Sequence, residues 1–382
     1  MSTTRVVEVV GNSEGGGTRF VAALLERLNP SRFTTTLVAP DAPWLAALCA
    51  ERCIVYRPLP LIESRLGRTL SHELDTILYD ARPHLIHAHG TRAAWFTARC
   101  LPERSARRQR PALIYSEHLF SCDARRGIPR LPWYAIERYI CHRADMLTTS
   151  CRTNATRALK ARWTTTERIA LDHYGIDLHA IRAQAARPAR RNELGMLDDS
   201  VLIGAIGRLI PQKGFGDLLA ALALVLPRHP NVMCLIVGDG PLRTSLEHQC
   251  HALGLERQVR FVGTHPEPWR ILAMCEMVVL PSLFEGLALA LLEALAIGMP
   301  VITTQVGGAA EVVTSGQNGL VVPPGRPAAL AESIERMLSD GHLRAACRVN
   351  GPPSVQPYEV HGVLDRLLGV YESLTAEARE LA

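Results

Sequence analysis

Twice along this chain, short β-rich apolar runs alternate with helical periodicities, and a polar break separates the two series. The first series has strand-like runs at Val6–Val10, Thr34–Ala39, Leu85–His89, Ala112–Ser116 and Met146–Thr149. Between them, the spacing predicts helices over Thr18–Leu28, Leu74–Ala81, Ala93–Cys100 and Pro132–Ala144. In the first of these, Phe20, Val21, Leu24, Leu25 and Leu28 share one face. The stretch Asp177–Asn192, rich in arginine and poor in apolar residues, reads as an interdomain linker. The rhythm restarts with strands at Val201–Ile206, Val232–Val237, Val259–Val262, Met277–Leu280, Val301–Thr303 and Leu320–Val322. Helices are expected at Phe215–Leu226, Leu242–Leu253, Pro268–Cys275, Leu289–Gly298 and, near the end, Tyr358–Leu374. Alternation of this kind specifies parallel βαβ units. The expectation is an α/β protein of two Rossmann-like, doubly wound domains, residues 1–178 and 179–355, followed by a tail of residues 356–382. Ligands of such sheets lie beyond the carboxyl ends of the strands, so a central cleft faced by both domains is the expected site.

Composition narrows the function classes. At 382 residues the chain is about two ordinary domains long. Its 47% hydrophobic and 21% charged content excludes a disordered chain. The longest apolar run, Leu218–Leu226, has nine residues, against roughly 18 for a membrane-spanning helix. Met1–Gly11 lacks the order of a secretion signal. Ten cysteines without a C-x-x-C predict buried reduced thiols rather than disulfides or a zinc site, and a cytoplasmic location follows. Residues 1–187 carry 27 Lys/Arg and 17 Asp/Glu, a balance of +10; residues 188–382 carry 15 and 20, a balance of −5. A basic half can meet nucleic acid, anionic lipid or a phosphorylated substrate. No helix-turn-helix, zinc-finger or aromatic RNA-binding signature accompanies it, which argues against nucleic acid. Only two of the 42 basic residues are lysines, Lys160 and Lys213, and the second lies in a glycine-flanked segment.

That segment, Gly207-Arg208-Leu209-Ile210-Pro211-Gln212-Lys213-Gly214, follows a strand and precedes a helix. Arg208 and Lys213 there are two cations beside the positive end of a helix, an arrangement that suits a pyrophosphate and neutralises charge on a phosphate leaving group. It is not a P-loop. Further on, Pro281-Ser282-Leu283-Phe284-Glu285-Gly286-Leu287-Ala288 leads into an apolar helical run containing Glu293. With a helix starting near Leu287, Glu285 precedes it and Glu293 lies in its second turn, about 12 Å apart by helical rise. That exceeds the roughly 5–5.5 Å of a retaining glycosidase pair. It suits a grip on both ends of a sugar nucleotide, Glu285 on sugar hydroxyls and Glu293 on ribose, with the helix N-terminus facing the phosphates. A carboxylate in so apolar a helix also needs a partner. Gly15-Gly16-Gly17 follows the first strand and opens a helix, either as a tight turn or as a close backbone approach to a ligand. His87 and His89 end a strand with a metal-like spacing, but no third ligand is recognisable, and lining of the cleft is the preferred reading.

Glu285 and Glu293, together with the Gly-Arg-Leu…Lys-Gly segment, resemble the retaining glycosyltransferases of family 4, which have the GT-B fold. Val237-Gly238-Asp239-Gly240-Pro241 is similar to that family's nucleotide-side loop, and Val306-Gly307-Gly308-Ala309-Ala310-Glu311 and Asn318-Gly319-Leu320-Val321 to its later loops. Tyr174-Gly175-Ile176-Asp177 resembles its hinge, with Tyr at the first place. The similarity is clear over about residues 200–325 and weaker before. The resemblance implies a transferase that moves a sugar from a UDP- or GDP-sugar to a carbohydrate or lipid-linked acceptor hydroxyl. It places the donor on the second domain, at Arg208, Lys213, Gly238, Asp239, Gly240, Glu285, Gly286, Leu287, Ala288 and Glu293, with Gly16 and Gly17 contributed by the first. His118, ending the strand that holds Ser116, takes the place of the family's active-site histidine, which makes His118, Glu285, Arg208 and Lys213 the implied catalytic set. The last helix is implied to pack back on the first domain. No Asp-x-Asp occurs, and the family reading needs no metal or cofactor; the leaving phosphate itself helps deprotonate the acceptor.

Ala288 stands where the family often has Gly, Pro or Ser, and the tail after Gly351 matches poorly. A role in cell-surface polysaccharide or glycolipid assembly would give the basic half a purpose, as a peripheral contact with the inner face of a membrane. Arg104, Arg107, Arg108, Arg110, Arg125, Arg126 and Arg130 are candidates for it by charge alone. Two alternatives stay open: a sugar-nucleotide epimerase on the same fold, and an inactive sugar-nucleotide-binding protein.

Overall fold

The computed structural model describes residues 3–13, 15–61, 68–103, 110–122, 130–171, 174–194, 196 and 200–380, with the backbone alone at 68 and 377–380. It forms two compact units, Met1–Gly175 with Val360–Ala382, and Ile176–Glu359. The chain changes unit beside the 178/179 and 355/356 divisions read from the sequence.

Unit 1 holds a parallel sheet of β1 (Thr4–Val10), β2 (Phe33–Ala39), β3 (Val55–Pro58), β4 (Leu85–His89), β5 (Ala112–Glu117), β6 (Met146–Thr149) and β7 (Ile169–Leu171), in the order β3-β2-β1-β4-β5-β6-β7. Unit 2 holds β8 (Val201–Ile206), β9 (Val232–Val237), β10 (Val259–Gly263), β11 (Met277–Leu280), β12 (Val301–Thr304) and β13 (Gly319–Val322), in the order β10-β9-β8-β11-β12-β13. Both are doubly wound. The order reverses between β1 and β4 and between β8 and β11, where such sheets leave a crevice for ligands. Central strands read as unbroken apolar runs because helices cover both faces: β9, Val-Met-Cys-Leu-Ile-Val, is buried nearly throughout. Eight of the ten cysteines are buried and none is paired, and burial pushes the Cys275 thiol up to about 12. No helix of the described residues is long and apolar enough to cross a membrane.

Several elements escaped the sequence reading. The supposed linker Asp177–Asn192 contains a helix, Leu178–Ala185. Asp177 caps it, its side chain accepting from the Ala180 N–H, and Leu178 and Ile181 are buried beneath it. Its arginines mask a two-residue apolar face, and Arg182 is itself engaged, donating to the Ala296 carbonyl. Helices Pro43–Glu51, Arg152–Lys160, Pro327–Ser339 and Gly341–Ser354 and the edge strands β3 and β7 were not anticipated either. The stretch after Gly351, which matches the family pattern poorly, ends the last of those helices, with Pro352 and Pro353 in its final turn and Gly351 packed on the Leu295 backbone. The terminal helix, Val360–Glu380, belongs to unit 1, where Asp365 pairs with Arg27 and Glu372 with Arg32.

Candidate functional site

In unit 2, three loops at the carboxyl ends of β8, β9 and β11 interlock. Gly214 sits at φ +66 with its Cα against the Pro281 carbonyl; a Cβ there would come within 2.1 Å of that oxygen. Gly238, at φ +132, approaches Gly207 as closely, so only glycine fits either place. The Leu283 N–H donates to the Gln212 carbonyl at 2.8 Å, tying the β8 loop to the β11 loop. Thr304 on β12 donates to the Ser282 carbonyl, and the Gly308 N–H to the Gly286 carbonyl.

Glu285 stands where these loops meet. Its carboxylate accepts from Lys213 Nζ at 2.5 Å, Gln212 Nε2 at 3.0 Å and Ser282 Oγ at 3.0 Å. The lysine methylenes lie beside Gly207. The pair is largely screened from water, with side-chain exposures of 19% for Lys213 and 11% for Glu285. A small cavity opens beside it, lined among others by Lys213, Ser282, Glu285, Ala288, Thr303 and Val306. Arg208 is exposed on the same β8 loop. The sequence reading gave Lys213 to phosphate and Glu285 to sugar; the fold brings the two into one ion pair. Asp239 accepts from the Gly240 N–H and from Arg243, so it shapes the β9 loop as well as bordering it.

The helix after Glu285 is Leu289–Ala296, starting two residues later than Leu287, with Ala288 as N-cap and Glu293 half-buried in its second turn. Gly286 and Leu287 lie in the turn before the cap. Ala288 has the extended conformation of a cap, φ −73 and ψ 115, but no side-chain oxygen to accept a helix N–H. Ala288→Ser should therefore add about 1 kcal/mol of stability by supplying one. Urea unfolding of the two proteins checks this, and an unchanged midpoint would count against the capping geometry.

In unit 1, Gly15 (φ +94) precedes the helix Gly16–Arg27, and a Cβ on Gly17 would touch the His118 ring at 3.4 Å. His118 follows β5 and stacks on Tyr174 (5.2 Å between centroids) and, more distantly, on His89 (5.8 Å). Burial, with His89 adding to it, brings the His118 imidazole down to about 3, so the ring is neutral. His87 is held well below its usual value by the same cause. The unfolded chain takes up these protons near pH 6.5. Stability from these groups is thus complete above 6.5 and falls as the pH drops from there toward 3.

His87 and His89 do have a third companion, Glu8 on β1, which pattern reading could not supply: the three offer ligand-type atoms within 4.8 Å of one another, all buried. Glu8 pairs in register with His87 because β1 lies beside β4. Ser116, Thr148 and Tyr371 complete a buried polar cluster that no local pattern signalled.

Of the arginines proposed for a membrane, Arg110 does not serve. Its guanidinium is buried and donates to both Asp145 carboxylate oxygens, at 2.9 and 2.8 Å. The reason is its position just before β5, beneath which Asp145 is also held by the Leu113 N–H. Arg130 is exposed. Arg104, Arg107, Arg108, Arg125 and Arg126 lie outside the described residues.

Two family models match, side by side. "Glycosyltransferase Family 4" matches residues 14–180 and "Glycosyl transferases group 1" residues 186–352. The chain is 32% identical over 192 residues to the alpha-D-kanosaminyltransferase of Streptomyces kanamyceticus, covering 50% of each protein. It is 32% identical over 224 residues to a D-inositol 3-phosphate glycosyltransferase of Corynebacterium urealyticum, covering 56% of this chain and 53% of that one. The chain thus spans about half the length of these curated relatives. Among solved structures, Anabaena HepE in complex with UDP-glucose superposes with a TM-score of 0.80 at 21% identity, over 97% of this chain and 99% of that one. Two doubly wound sheets, the paired family models and these relatives lead to one conclusion: the chain has the GT-B fold and belongs to the group 1, family 4 glycosyltransferases.

Proposed function

We propose that the protein is a retaining, metal-independent glycosyltransferase that moves a sugar from a UDP- or GDP-sugar to an acceptor hydroxyl. The observation that carries this reading is the Lys213–Glu285 pair, screened from water among three strand-end loops. A cation and an acid held 2.5 Å apart can serve the two ends of a glycosyl phosphate. Lys213 and the exposed Arg208 neutralise charge on the departing diphosphate, aided by the N–H groups that open the helix Leu289–Ala296. Glu285, fixed by Gln212 and Ser282, accepts from sugar hydroxyls. Glu293 remains assigned to the ribose, and Gly238, Asp239 and Gly240 to the nucleotide. Gly16 and Gly17 lend backbone, and His118, being neutral, offers a sugar hydroxyl a hydrogen bond without adding charge. The proton of the acceptor hydroxyl passes to the leaving phosphate oxygen as the new glycosidic bond forms. The complexed UDP-glucose of HepE and the sugar-transfer names of the relatives support the donor class.

The test is a panel of UDP- and GDP-sugars added without metal while thermal unfolding is followed. A donor at 100 times its Kd should add about 2.7 kcal/mol of stability. No shift with any of them at millimolar concentration would refute the donor site.

For the acceptor, we favour a lipid-linked carbohydrate in cell-surface polysaccharide or glycolipid assembly. Support comes from the helix Leu131–Arg143 of unit 1. Leu131 is 67% exposed, Arg138 and the preceding Arg130 are exposed, and Tyr134 and Tyr139 show part of their rings while packing edge-on against Trp163 and Trp95. The helix's one acid, Glu137, points inward to Thr91, Tyr115 and the Ser121 N–H. Aromatic and basic groups without an outward acid suit an anionic bilayer surface. Leu131→Ser with Tyr134→Ser should lower recovery on vesicles containing phosphatidylglycerol by about tenfold, an effect of the order of two lost apolar contacts. Equal recovery of both proteins, or none of either, would remove the membrane from this reading.

A further inference from the structure

The buried cluster around His87-Ala88-His89 has no part in the chemistry above, yet its hydrogen bonds run in one direction. Glu8, as a carboxylate, only accepts. Tyr371, on the terminal helix Val360–Glu380, gives its one proton to Glu8 Oε1 at 2.6 Å. The 2.6 Å contact between Tyr371 Oη and His87 Nδ1 must then be donated by the ring, which places the His87 proton on Nδ1. His87 Nε2 is left as an acceptor, filled by Ser116 Oγ at 2.6 Å, which in turn accepts from Thr148 Oγ1 at 2.5 Å. On the other side, His89 Nε2 lies 2.8 Å from Glu8 Oε2 and has to be the donor. One carboxylate thus sets adjacent histidines, ring centroids 3.8 Å apart, in opposite tautomers.

The consequence falls on His89 Nδ1. It lies in a residue only 3% exposed and has no hydrogen-bond partner, and in the Nε2–H tautomer it is an acceptor. His118 Nε2, on the ring stacked against it at 5.8 Å and 11°, is likewise shut off from water and without a hydrogen-bond partner. Unpartnered buried nitrogens are costly, and two of them on neighbouring rings ask for one group that can both accept and donate. A hydroxyl does this, donating to one nitrogen and accepting from the other.

We infer that Glu8 is a positioning residue, which holds His89 as its Nε2–H tautomer so that His89 Nδ1 and His118 Nε2 together receive one hydroxyl of a carbohydrate, while Tyr371 braces Glu8 and sets the His87 tautomer. The hydroxyl donates to His89 and accepts from His118. The assignment of the ligand rests on the sugar-transfer reading; the tautomers do not.

Two measurements separate those layers. The first is two-bond proton–nitrogen NMR of histidine-labelled wild type, Tyr371→Phe and Glu8→Gln. In wild type, His87 should carry its proton on Nδ1 and His89 on Nε2. In Tyr371→Phe, His87 should lose its fixed tautomer while His89 keeps its own, and in Glu8→Gln neither ring should stay fixed. A wild-type His89 proton on Nδ1 would overturn the chain of donors. So would stoichiometric zinc in the purified protein that Glu8→Gln removes, because the cluster would then be a metal site. The second is the affinity of the nucleotide sugar that stabilises the wild type, compared with that of its free nucleoside diphosphate. Glu8→Gln should weaken the sugar nucleotide about tenfold, the worth of a hydrogen bond, and leave the diphosphate within about twofold. Equal losses for both, or none, would dismiss the hydroxyl site. Failure of every nucleotide sugar to bind wild type would instead strike the donor reading, with the tautomers still decided by NMR.

Discussion

Lys213→Ala should lower sugar transfer by about 10²–10³-fold, the usual loss when one preorganised electrostatic donor is taken from a site of developing charge. Lys213 is one of two lysines in the chain, and its ammonium stands 2.5 Å from Glu285 with the loops on either side locked by glycines. Truncation removes the cation but leaves Gln212 and Ser282 on the carboxylate, so the loop should keep its shape. Stability without ligand should fall far less than transfer does, because Gln212 and Ser282 still satisfy the carboxylate. The stabilisation that a nucleotide sugar confers should shrink much more. Release of the nucleoside diphosphate, measured beside ligand-induced thermal shifts, reads both quantities. A variant that transfers at the wild-type rate would show that Lys213 merely braces Glu285. Lys213→Arg separates charge from shape: the fork of a guanidinium does not fit a place built around a lysine stem lying on Gly207, so rescue should be partial.

Asp145→Ala should be the most damaging of the simple stability variants, costing about 4 kcal/mol. Arg110 and Asp145 are each 1% exposed at the side chain and joined through both carboxylate oxygens. Removing the acid leaves the guanidinium without its countercharge where water cannot reach it, with the Arg143 carbonyl still accepting from it, and also frees the Leu113 N–H of β5. Calorimetry should show a fall of roughly 10 °C in the melting of unit 1. Replacing both partners, Arg110→Met with Asp145→Leu, should recover most of the loss, because the desolvation of two charges disappears with them. A fall of under about 2 °C for Asp145→Ala would mean that the pair is hydrated in solution.

Much of the fold was legible because the signals that encode it are local. Strands such as Val201–Ile206, Val232–Val237 and Met277–Leu280 are apolar runs bounded by turn residues, and their ends coincide with the observed ones. Edge strands gave weaker signals: β3, Val-Tyr-Arg-Pro, is exposed or half-buried at every residue, so no alternation or apolar run marks it. The helix Leu178–Ala185 was hidden for a related reason, since two buried residues among arginines do not make a visible periodicity. Charge misled in the same way at Arg110. A basic stretch reads as a solvated face, and only the return of the chain through Asp145 shows that one of its arginines is sealed beneath β5.

The candidate site divides along the same line. The sequence by itself determined that Arg208, Lys213 and Glu285 would stand at strand ends beside helix starts and Glu293 in a helix's second turn, because strand, loop and helix are written consecutively and position those residues by spacing alone. It also determined that His118 would close β5. Only the tertiary structure decided what these groups touch. Glu285 meets Gln212 and Lys213 because β8 and β11 are neighbours at a reversal of strand order, which pairs segments more than seventy residues apart. Glu8 meets Tyr371 across 363 residues because the chain re-enters unit 1 at Val360. Hydrogen bonds of that reach depend on which strands pair and where a terminal helix docks, and those follow from the burial of the whole core rather than from any stretch of residues within it.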